Sequence, residues 1–374
     1  MIALRIAEEL RRRSRAVRVW VPGDGAAMRE ARRLGLDVAP YSAALLSSDR
    51  SRWETVVGNL RLFRELSWAG RGLVHVHSPY VYRALVPSLQ LSGMPSVVHV
   101  QIEDETEGLR WAFRRPPDLT ITCARFLMDR VRQALPPPRR EQQRIETLPN
   151  AVDIRKFVPG DKRAAKHKVG APADIPLILM LANLAPHKGQ ETAIRAVASL
   201  KQQGIPVVCW LAGVERGGSK SYSQRLQSLI GALDLGDRVQ LLGQRADADE
   251  LLRAADFFLL PSTNEGLPLS ILEAQATKVP VLAAPTAGIP EVVSDGETGF
   301  LIPASDAQGY ADRLRSLLQD SAEYRRVAEQ AYTRTISELS WGPHCEHLLS
   351  LYDSLTNRDG VRRSRRATRS RVTT

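Results

Sequence analysis

The sequence predicts an α/β protein made of two doubly wound domains, each with a parallel sheet covered by helices on both faces. Three observations lead to this fold class. The chain has 374 residues, and a typical size of about 100 to 200 residues per domain favours two domains. Short runs that are apolar at every position alternate with amphipathic segments along most of the chain. A stretch rich in proline, glycine and lysine separates two such halves, which is typical of a domain boundary.

The second half carries the clearest strand pattern. Its strand-like runs are PLILMLA, PVVCWLAG, RVQLLG, DFFLLP and VPVLAA, separated by helical segments such as ETAIRAVASL, YSQRLQSLIGAL and DELLRAA. A strand that is apolar at every position is buried on both faces, which indicates a parallel sheet between two layers of helices. The second half is therefore predicted to be a Rossmann-like domain.

The first half has the same pattern, with the runs AVRVWV, GLVHVH, PSVVHV, DLTITC and RIETLP. The boundary is predicted in the linker NAVDIRKFVPGDKRAAKHKVGAPAD, residues 150–174. We expect a first domain over 1–157 and a second over 158–340. A helix over 341–356 is expected to pack back towards the first domain, and 357–374 to form a disordered basic tail.

The start of the chain departs from the usual order of elements. Ile2, Ile6 and Leu10 have helical spacing, and the first strand-like run arrives only at Ala16. Domains of this class usually open on a strand. We therefore expect a first domain that lacks its usual first strand, because of either a truncation or a start placed too late.

Composition restricts the function classes. The chain is 43% hydrophobic and 25% charged, as in an ordinary soluble enzyme. No apolar run approaches the roughly 18 residues that span a bilayer, and Glu8 and Glu9 interrupt any secretory signal. A cytoplasmic protein is expected. Its three cysteines are odd in number and far apart, which favours buried free thiols over disulfides or a cysteine-based zinc site.

The basic charge is concentrated at the two ends of the chain. Seven arginines and one aspartate give the stretch 357–374 a formal charge of +6 out of the total of +11. Such a tail is typical of a solvated segment, with anionic lipid or nucleic acid as alternative partners. A second arginine cluster follows the first helical pattern and suits either a solvated helix end or a peripheral position at the inner face of an anionic membrane. Its members are Arg11, Arg12, Arg13, Arg15 and Arg18.

The stretch STNEGLPLSILEAQ, residues 262–275, combines a strand end, a glycine turn and a helix start. Pro268 suits the first helical turn, whose N–H groups have no intrahelical partner and attract phosphate. Glu265 in the preceding loop and Glu273, about 7 Å further along the helix, can accept hydrogen bonds from hydroxyls at two ends of an elongated ligand such as a nucleotide sugar. Spacing alone leaves a solvated-helix interpretation equally open.

A second candidate site follows the first strand of the second domain, in LMLANLAPHKGQE. Lys188, before Gly189 at a strand-to-helix turn, can neutralise a phosphate, and Asn183 can donate an amide hydrogen bond. The spacing of a P-loop is missing, so nothing indicates nucleotide hydrolysis. Strand ends of one parallel sheet share an edge, so this site is expected beside the two glutamates.

Taken together, these segments resemble the retaining glycosyltransferases of family 4, which have the GT-B fold of two Rossmann-like domains facing across a cleft. The family signature of two glutamates separated by seven residues corresponds to EGLPLSILE. The resemblance extends over nearly the whole chain up to the tail, through LPNAVD, HKG, LLG, ADFFLLPSTNEG, GIPEVVSDGETGFLI and WGPHCEHLLSLYDSL.

The resemblance implies a nucleoside-diphosphate sugar, of UDP or GDP type, bound mainly by the second domain, and transfer with retention at the anomeric carbon. Glu265 would contact the transferred sugar and Glu273 the ribose, with the backbone amides of Gly266 and Leu267 near the sugar and diphosphate. Lys188 matches the family's lysine on the diphosphate, whereas Asn183 stands where the family commonly has an arginine. No metal ion or other cofactor is expected.

The acceptor side is predicted in the first domain. Gln101 stands where family members often carry a histidine, and glutamine can bind a sugar hydroxyl but cannot act as a general base. His99, two residues earlier on the same strand face, is a candidate substitute, and His77 at the end of VHVH is a candidate for the acceptor cleft. For both histidines a structural role is the alternative.

Three functions are compatible with these patterns. The leading one is transfer of a sugar to a glycan, a lipid-linked glycan or a small molecule. The second is a noncatalytic homologue or assembly partner that binds nucleotide sugars, favoured by Gln101 and by the missing first strand. The third, nucleic-acid binding through the arginine tail, is disfavoured because no aromatic platform accompanies the basic residues.

Overall fold

A computed structural model describes residues 2–41, 52–68, 70, 72–101, 106–215 and 221–370. The chain divides into two compact units, one formed by Met1–Pro149 with Gly342–Thr374 and the other by Asn150–Trp341. The division falls after Pro149, whereas the sequence analysis places the boundary after 157. The segment after Pro149 belongs to the second unit because Val152 forms a parallel bridge with Ser340.

The first unit contains six strands and seven helices among its described residues. The strands are β1 (Arg18–Pro22), β2 (Asp37–Tyr41), β3 (Val74–Val76), β4 (Ser96–Val100), β5 (Leu119–Thr122) and β6 (Ile145–Thr147). The helices are α1 (Ile2–Arg12), α2 (Ala26–Arg33), α3 (Arg52–Trp68), α4 (Pro79–Ser92), α5 (Thr106–Ala112), α6 (Arg125–Ala134) and the last helix of the chain, α15 (Trp341–Ser370), of which Trp341 itself is assigned to the second unit.

Two parallel sheets organise this unit. Strands β1 and β2 pair with each other, and β3, β4, β5 and β6 form a second sheet in that order. Every residue of β4 and β5 is buried, as expected for strands covered on both faces. Strand β2 is absent from the sequence-based assignment because Pro40 disfavours a strand; it is tolerated here because β2 has a single neighbour and therefore an edge position.

The first described element is helix α1, as its sequence spacing predicts. Leu4 and Ala7 on its inner face pack with Ala31 of α2 and with Leu36 in one apolar cluster. This packing fixes α1 against the first pair of strands and explains why a helix forms over these residues.

Helix α15 contacts the first unit along its amino-terminal half. The Nη1 of Arg144 donates to the Oγ of Ser354 at 2.5 Å, and His344 Nδ1 lies 2.8 Å from the carbonyl oxygen of Pro149. The backbone of 357–370 continues this helix, whereas the sequence analysis predicts disorder there. Arginine and alanine are good helix formers, which is compatible with such a continuation. The side chains of 357–374 lie outside the described residues, so a disordered tail stays a prediction.

The second unit contains the remaining strands and helices. The strands are β7 (Leu177–Leu181), β8 (Val208–Ala212), β9 (Val239–Gly243), β10 (Phe257–Leu260), β11 (Val281–Ala283) and β12 (Phe300–Leu301). The helices are α7 (Lys162–Val169), α8 (Gln190–Gln202), α9 (Ser221–Ala232), α10 (Ala248–Ala254), α11 (Leu269–Ala276), α12 (Ile289–Val292), α13 (Ala307–Gln319) and α14 (Ser321–Glu338).

These six strands form one parallel sheet in the order β12-β11-β10-β7-β8-β9. The order reverses at β7, whose neighbours are β10 on one side and β8 on the other. Phe257 of β10 pairs with Ile178 of β7. In open sheets of this kind, ligands bind beyond the carboxyl ends of the strands at such a switch point. The loops after β7 and β10 are therefore the expected location of a site.

Residues 150–174, predicted to be a linker, are in part regular structure. Asp161 caps helix α7 by accepting hydrogen bonds from the backbone N–H groups of Arg163 and Ala164, and Gly170 ends the helix in a left-handed conformation. Lys162 and Lys166 both form ion pairs with Asp256. The lysines that suggest a solvated linker thus anchor α7 to the start of β10.

Strand β12 is the second strand that the sequence-based assignment omits, because its two residues are too short to give a periodic pattern. In the described part of the chain, none of the helices combines the length and the apolar character needed to cross a bilayer.

Candidate functional site

The candidate site lies in the second unit, in the loops that follow β7 and β10. These strands are hydrogen-bonded neighbours in parallel orientation, so their carboxyl ends lie at the same edge of the sheet. The loop after β7 carries Asn183 and Lys188, and the loop after β10 carries Glu265. The sheet topology therefore places the two stretches beside each other, as expected from the shared edge of one parallel sheet.

Lys188 and Glu265 form an ion pair at the centre of this region. The Nζ of Lys188 donates to Glu265 Oε1 at 2.7 Å, and the hydroxyl of Ser262 donates to the same oxygen at 2.8 Å. The carboxylate is buried, and the lysine side chain is only 18% exposed. A buried charge without a partner costs several kcal/mol, so the two residues depend on each other. A ligand with a diphosphate can compete for the lysine, and its hydroxyls can compete for the carboxylate.

Backbone contacts fix the distance between the two loops. The N–H of Thr263 donates to the carbonyl oxygen of His187 at 2.8 Å. Gly189 has φ +78°, and a Cβ atom at this position would lie 2.1 Å from the carbonyl oxygen of Pro261. Only glycine permits both this conformation and this close approach. The lysine and the glutamate are therefore presented by a rigid backbone.

Helix α11 begins at Leu269, and Pro268 is its N-cap residue rather than its first helical residue. The predicted start of this helix is thus one residue too early, because Pro268 has extended backbone angles, with ψ 121°. The N-cap side chain makes no capping hydrogen bond. Among the described residues, the N–H groups of Gly266 and Leu267 find no acceptor either. Unpaired N–H groups at a helix amino end suit an anion.

The turn before α11 is itself anchored within the unit. Asn150, buried at the start of the unit, donates from Nδ2 to the carbonyl oxygen of Leu267 at 2.8 Å. The N–H of Gly288 donates to the carbonyl oxygen of Gly266 at 3.1 Å. Both carbonyl groups are thereby occupied, so the turn presents its N–H groups rather than its carbonyl oxygens.

Glu273, the second glutamate of the signature, is half-buried on α11. Burial is the main reason that its pKa rises from 4.5 to about 7; Asp249 raises it further, whereas Lys156 lowers it. Within the described chain its carboxyl group has no hydrogen-bond or ion-pair partner. A half-buried carboxyl group without a donor is suited to bind hydroxyl groups.

Asn183 is half-buried in the loop after β7, and its carbonyl oxygen accepts a hydrogen bond from Gln190 Nε2 at 2.9 Å. Gln190 is the first residue of α8 and is almost fully buried. This contact ties the beginning of the loop to the helix that follows it, so Asn183 and Lys188 belong to one ordered turn.

The three predicted acceptor-side residues lie in the first unit. His99 of β4 is fully buried, whereas His77 and Gln101 are half-buried. Burial lowers the pKa of His77 to about 3 and lowers that of His99 well below its usual value. Both imidazoles are neutral at pH 7. The Nε2 of Gln101 is buried without a hydrogen-bond partner among the described residues.

Three residues around these groups are absent from the predicted site. Ser262 and Asn150 stand in segments that the analysis quotes, STNEG and LPNAVD, but neither segment indicates which partner the side chain meets. His75 lies in VHVH, and its ring stacks on that of His77 with centroids 4.2 Å apart. The alternation in VHVH is a usable signal, since it places both histidines on one face of β3.

The arrangement in the second unit provides one cation, two carboxyl groups and a set of unpaired N–H groups at the switch point of a parallel sheet. Such a site can bind a diphosphate with hydroxyl-bearing groups on both sides. Residues 161–334 match the family Glycosyl transferases group 1, and residues 1–156 match Glycosyltransferase Family 4. The described site thus falls inside the first of these matches, apart from Asn150.

Solved structures share the fold over almost the whole chain. Anabaena HepE in complex with UDP and glucose has a TM-score of 0.82 at 22% identity, covering 94% of this chain and 95% of that one. A glycosyltransferase from Rickettsia africae also has a TM-score of 0.82, at 16% identity with 95% and 94% coverage. Sucrose-phosphate synthase from Thermosynechococcus elongatus has 0.76, at 19% identity with 94% and 92% coverage. These similarities confirm the predicted fold class.

Curated relatives include the D-inositol 3-phosphate glycosyltransferases of Mycobacterium bovis and Mycobacterium tuberculosis, 32% identical over 241 residues. The aligned region is 64% of this chain and 49% of those proteins, so the match spans about half of their length. The two family matches together leave only 157–160 and the residues after 334 uncovered. The second part of the chain thus matches the group 1 glycosyltransferases and the first part matches family 4, and the fold is that of a two-domain GT-B glycosyltransferase.

Proposed function

We propose that this chain transfers a sugar from a nucleoside-diphosphate sugar to a hydroxyl-bearing acceptor, with retention of the anomeric configuration. The observation that carries the proposal is the contact of Lys188 with Glu265 at the carboxyl ends of neighbouring strands, beside the amino end of α11. This contact joins a phosphate-binding group to a hydroxyl-binding group within one rigid site.

Each residue has a definite part in the proposed reaction. Lys188 and the amino end of α11 neutralise the charge that develops on the leaving diphosphate, the main electrostatic demand of such a transfer. Glu265 accepts hydrogen bonds from hydroxyls of the transferred sugar. Glu273 accepts them from the ribose.

Asn183 donates its amide to the diphosphate in place of a second cation. Stabilisation of the leaving group therefore depends mainly on Lys188, and we propose that it does so without a metal ion in the donor site.

The donor is proposed to be of UDP type, with GDP as the alternative. HepE, which shares the fold, has been crystallised with UDP and with glucose, and this supports the first choice. The acceptor is proposed to be a glycan, a lipid-linked glycan or a small molecule. The curated relatives are named for a small phosphorylated acceptor, which supports the last of these three.

On the acceptor side, Gln101 is proposed to bind an acceptor hydroxyl through its buried, unpartnered Nε2. The roles predicted for His77 and His99 stay predictions. His99 is fully buried, so a hydroxyl reaches its ring only if a neighbouring side chain moves. A pKa of about 3 makes His77 a poor proton acceptor at pH 7.

A peripheral contact with an anionic membrane is proposed through the arginine cluster together with helix α3. The arginines supply the positive charge that an anionic surface attracts. Helix α3 exposes Trp53, Val56, Leu60 and Trp68. Sedimentation with phosphatidylglycerol vesicles should deplete the protein from the supernatant, and Trp53→Ser with Trp68→Ser should abolish this. Equal sedimentation of the double variant would contradict the contact.

A noncatalytic nucleotide-sugar-binding homologue is the second candidate, favoured by the neutral Asn183 and Gln101 at positions where the family commonly has a cation and a histidine. The two candidates differ in turnover but not in donor binding. Slow release of UDP from UDP-glucose, without added acceptor, would favour the enzyme. Binding without any release, with or without acceptor, would favour the homologue.

The experiment that tests donor binding is a thermal-shift screen of UDP, GDP and ADP, since a ligand that binds only the native state raises the melting temperature. UDP is expected to give the largest increase. The increase should disappear in Lys188→Met and persist in the surface variant Lys168→Met. A flat response to all three nucleotides, or an equal response in Lys188→Met, would contradict the proposed site.

A further inference from the structure

Three histidines converge on one face of the four-stranded sheet in the first unit. His75 lies in β3, His77 follows the end of that strand, and His99 lies in the neighbouring strand β4. Val76 pairs with Val98 in the register of the two strands, so His77 and His99 stand side by side. One ring nitrogen from each histidine lies within 4.8 Å of those of the other two. The cluster is thus a product of strand register, not of chance contact between loops.

Most of the nitrogens in this cluster lack hydrogen-bond partners. His75 Nε2, His77 Nδ1 and both ring nitrogens of His99 are buried and unpartnered among the described residues. His99 is 0% exposed. An unsatisfied buried polar group destabilises the folded protein, and four such atoms in one place need an explanation. The cluster contains no acidic side chain that could accept a hydrogen bond from these rings.

We propose that His75, His77 and His99 bind a divalent transition-metal ion of the zinc class. Three imidazoles are a known ligand set for zinc, and the fourth position is then open to water. Oxygen-seeking ions such as Mg²⁺ and Ca²⁺ are disfavoured because the cluster offers only nitrogen ligands. One ion would satisfy one nitrogen from each of the three rings.

The contact of Tyr352 with His75 determines which nitrogen of His75 binds the ion. His75 Nδ1 and the Tyr352 hydroxyl are 2.5 Å apart and share a hydrogen bond. When Nδ1–H donates to the tyrosine oxygen, the lone pair of Nε2 faces the cluster. Metal-binding histidines usually have such a second hydrogen bond, which orients the ring. Helix α15 therefore contributes to the site through Tyr352.

The site must contract slightly around an ion. Zn–N distances of about 2.0–2.1 Å place ligand nitrogens about 3.4 Å apart in a tetrahedral site, compared with separations of up to 4.8 Å here. Rotation of the His77 ring is the simplest adjustment because His77 follows the strand and is only half-buried. The stacking of His75 on His77 would be lost as the rings turn their nitrogens inward.

The proposed ion is separate from the proposed donor chemistry. Its three ligands belong to the first unit, whereas Lys188, Glu265 and Glu273 belong to the second. The inference therefore does not depend on the proposed function. Its expected effect is on the stability of the first unit, because an ion that binds only folded protein stabilises it.

The test uses the full chain after EDTA treatment and buffer exchange. Titration with Co²⁺ should give a visible absorption typical of tetrahedral coordination, saturating at one ion per chain, and Zn²⁺ should displace it. Zn²⁺ should also raise the melting temperature. His77→Gln should lose both responses while keeping the metal-free melting temperature of the wild type. His347→Gln, which removes an exposed histidine outside the cluster, should keep both.

Two results would overturn the proposal. One is a wild-type protein that gives no tetrahedral Co²⁺ spectrum and no thermal shift with Zn²⁺. The other is binding that His77→Gln and His75→Gln leave unchanged, since the ion would then be held elsewhere. If His77→Gln itself unfolds, the Co²⁺ spectrum and stoichiometry of the wild type, with loss of binding in His75→Gln, decide the question.

Discussion

The Lys188–Glu265 cluster of the second unit and the histidine cluster of the first unit differ in how their hydrogen-bonding groups are satisfied. In the second unit, Lys188, Glu265 and Ser262 satisfy one another within 2.8 Å. In the first unit, His75 stacks on His77 and on His99, and four ring nitrogens of the three histidines have no hydrogen-bond partner in the part of the chain that the structure describes. Both clusters lie on a parallel sheet. The Lys188–Glu265 cluster must therefore exchange its internal hydrogen bonds for new ones when a ligand binds. The histidine cluster has few to exchange and gains partners on binding.

The largest expected effect is the loss of donor turnover when the Glu265 carboxylate is removed. Glu265→Ala should lower the turnover of donor by about 10²–10³-fold, the loss typical of removing one group that stabilises a transition state. Release of UDP from the donor measures it. Glu297→Ala, which truncates an exposed glutamate of the same unit, should leave turnover unchanged. Equal rates of UDP release in the two variants would show that Glu265 has no part in the reaction.

Replacing Lys188, the cation of the pair, should lower stability in addition to weakening donor binding. Lys188→Met leaves Ser262 as the remaining hydrogen-bond donor to the buried carboxylate of Glu265 among the described residues, and loss of one partner of a buried pair costs about 3–5 kcal/mol. Urea unfolding should show a lower midpoint for the second unit. The matched control is Lys168→Met, which breaks a pair with Glu250 whose lysine is 67% exposed; its cost should be about 0–1 kcal/mol.

Replacing a member of the histidine cluster should preserve or raise stability, whereas replacing Lys188 should lower it. His99→Leu replaces a buried, unpartnered ring by an apolar side chain, and relief of an unsatisfied polar group is worth about 1–3 kcal/mol. In EDTA the melting temperature should therefore stay the same or rise. In Zn²⁺ the order should reverse, with the wild type more stable. A large loss of stability in EDTA would mean that His99 has a structural hydrogen bond.

The smallest expected effect is the pH dependence of donor affinity. With the pKa of Glu273 raised to about 7, the group is mostly neutral at pH 6 and mostly ionised at pH 8. The carboxylate is the better acceptor for ribose hydroxyls, so affinity for UDP-glucose should increase by up to about tenfold over this range. Calorimetry with the sugar nucleotide avoids the terminal phosphate of UDP, which itself titrates near 6. Glu273→Gln should give a flat profile.

The same group affects the stability of the free protein. Its pKa is raised on folding, so its favourable contribution is complete below about 4.5 and is lost as the pH rises through about 7. Relative to the wild type, Glu273→Gln should therefore gain melting temperature between pH 5 and pH 8. Glu297→Gln should follow the wild type at each pH, and an identical trend in both variants would assign the effect to general charge.

The sequence predicts the strands and helices well where patterns are long, and poorly where a single residue misleads. The apolar runs identify every strand of the second unit except β12. Pro40 hides β2, and the lysines of 162–168 make α7 resemble a linker because their partner, Asp256, is distant in sequence. For the site, motif spacing predicts Glu265, Glu273 and Lys188 as candidate residues. The pairing of Lys188 with Glu265 follows only from the adjacency of β7 and β10, which topology rather than local sequence determines.

The histidine cluster, like the Lys188–Glu265 pair, cannot be predicted from local sequence alone. VHVH and the later VVHV are visible in the sequence, but their convergence depends on the register in which Val76 meets Val98. No local pattern specifies that register. The hydrogen bond of His75 comes from farther away, because Tyr352 is 277 residues from His75 in sequence.

The contact between Gly189 and Pro261 has a practical consequence for protein engineering. Because the backbone of Gly189 lies directly against that of Pro261, the separation of the two loops should change little when the side chain at position 188 is made longer or shorter. A series of cationic side chains of different length at position 188 would therefore measure how deeply an anion binds in the site. Substitutions of Gly189, by contrast, would change the separation of the two loops.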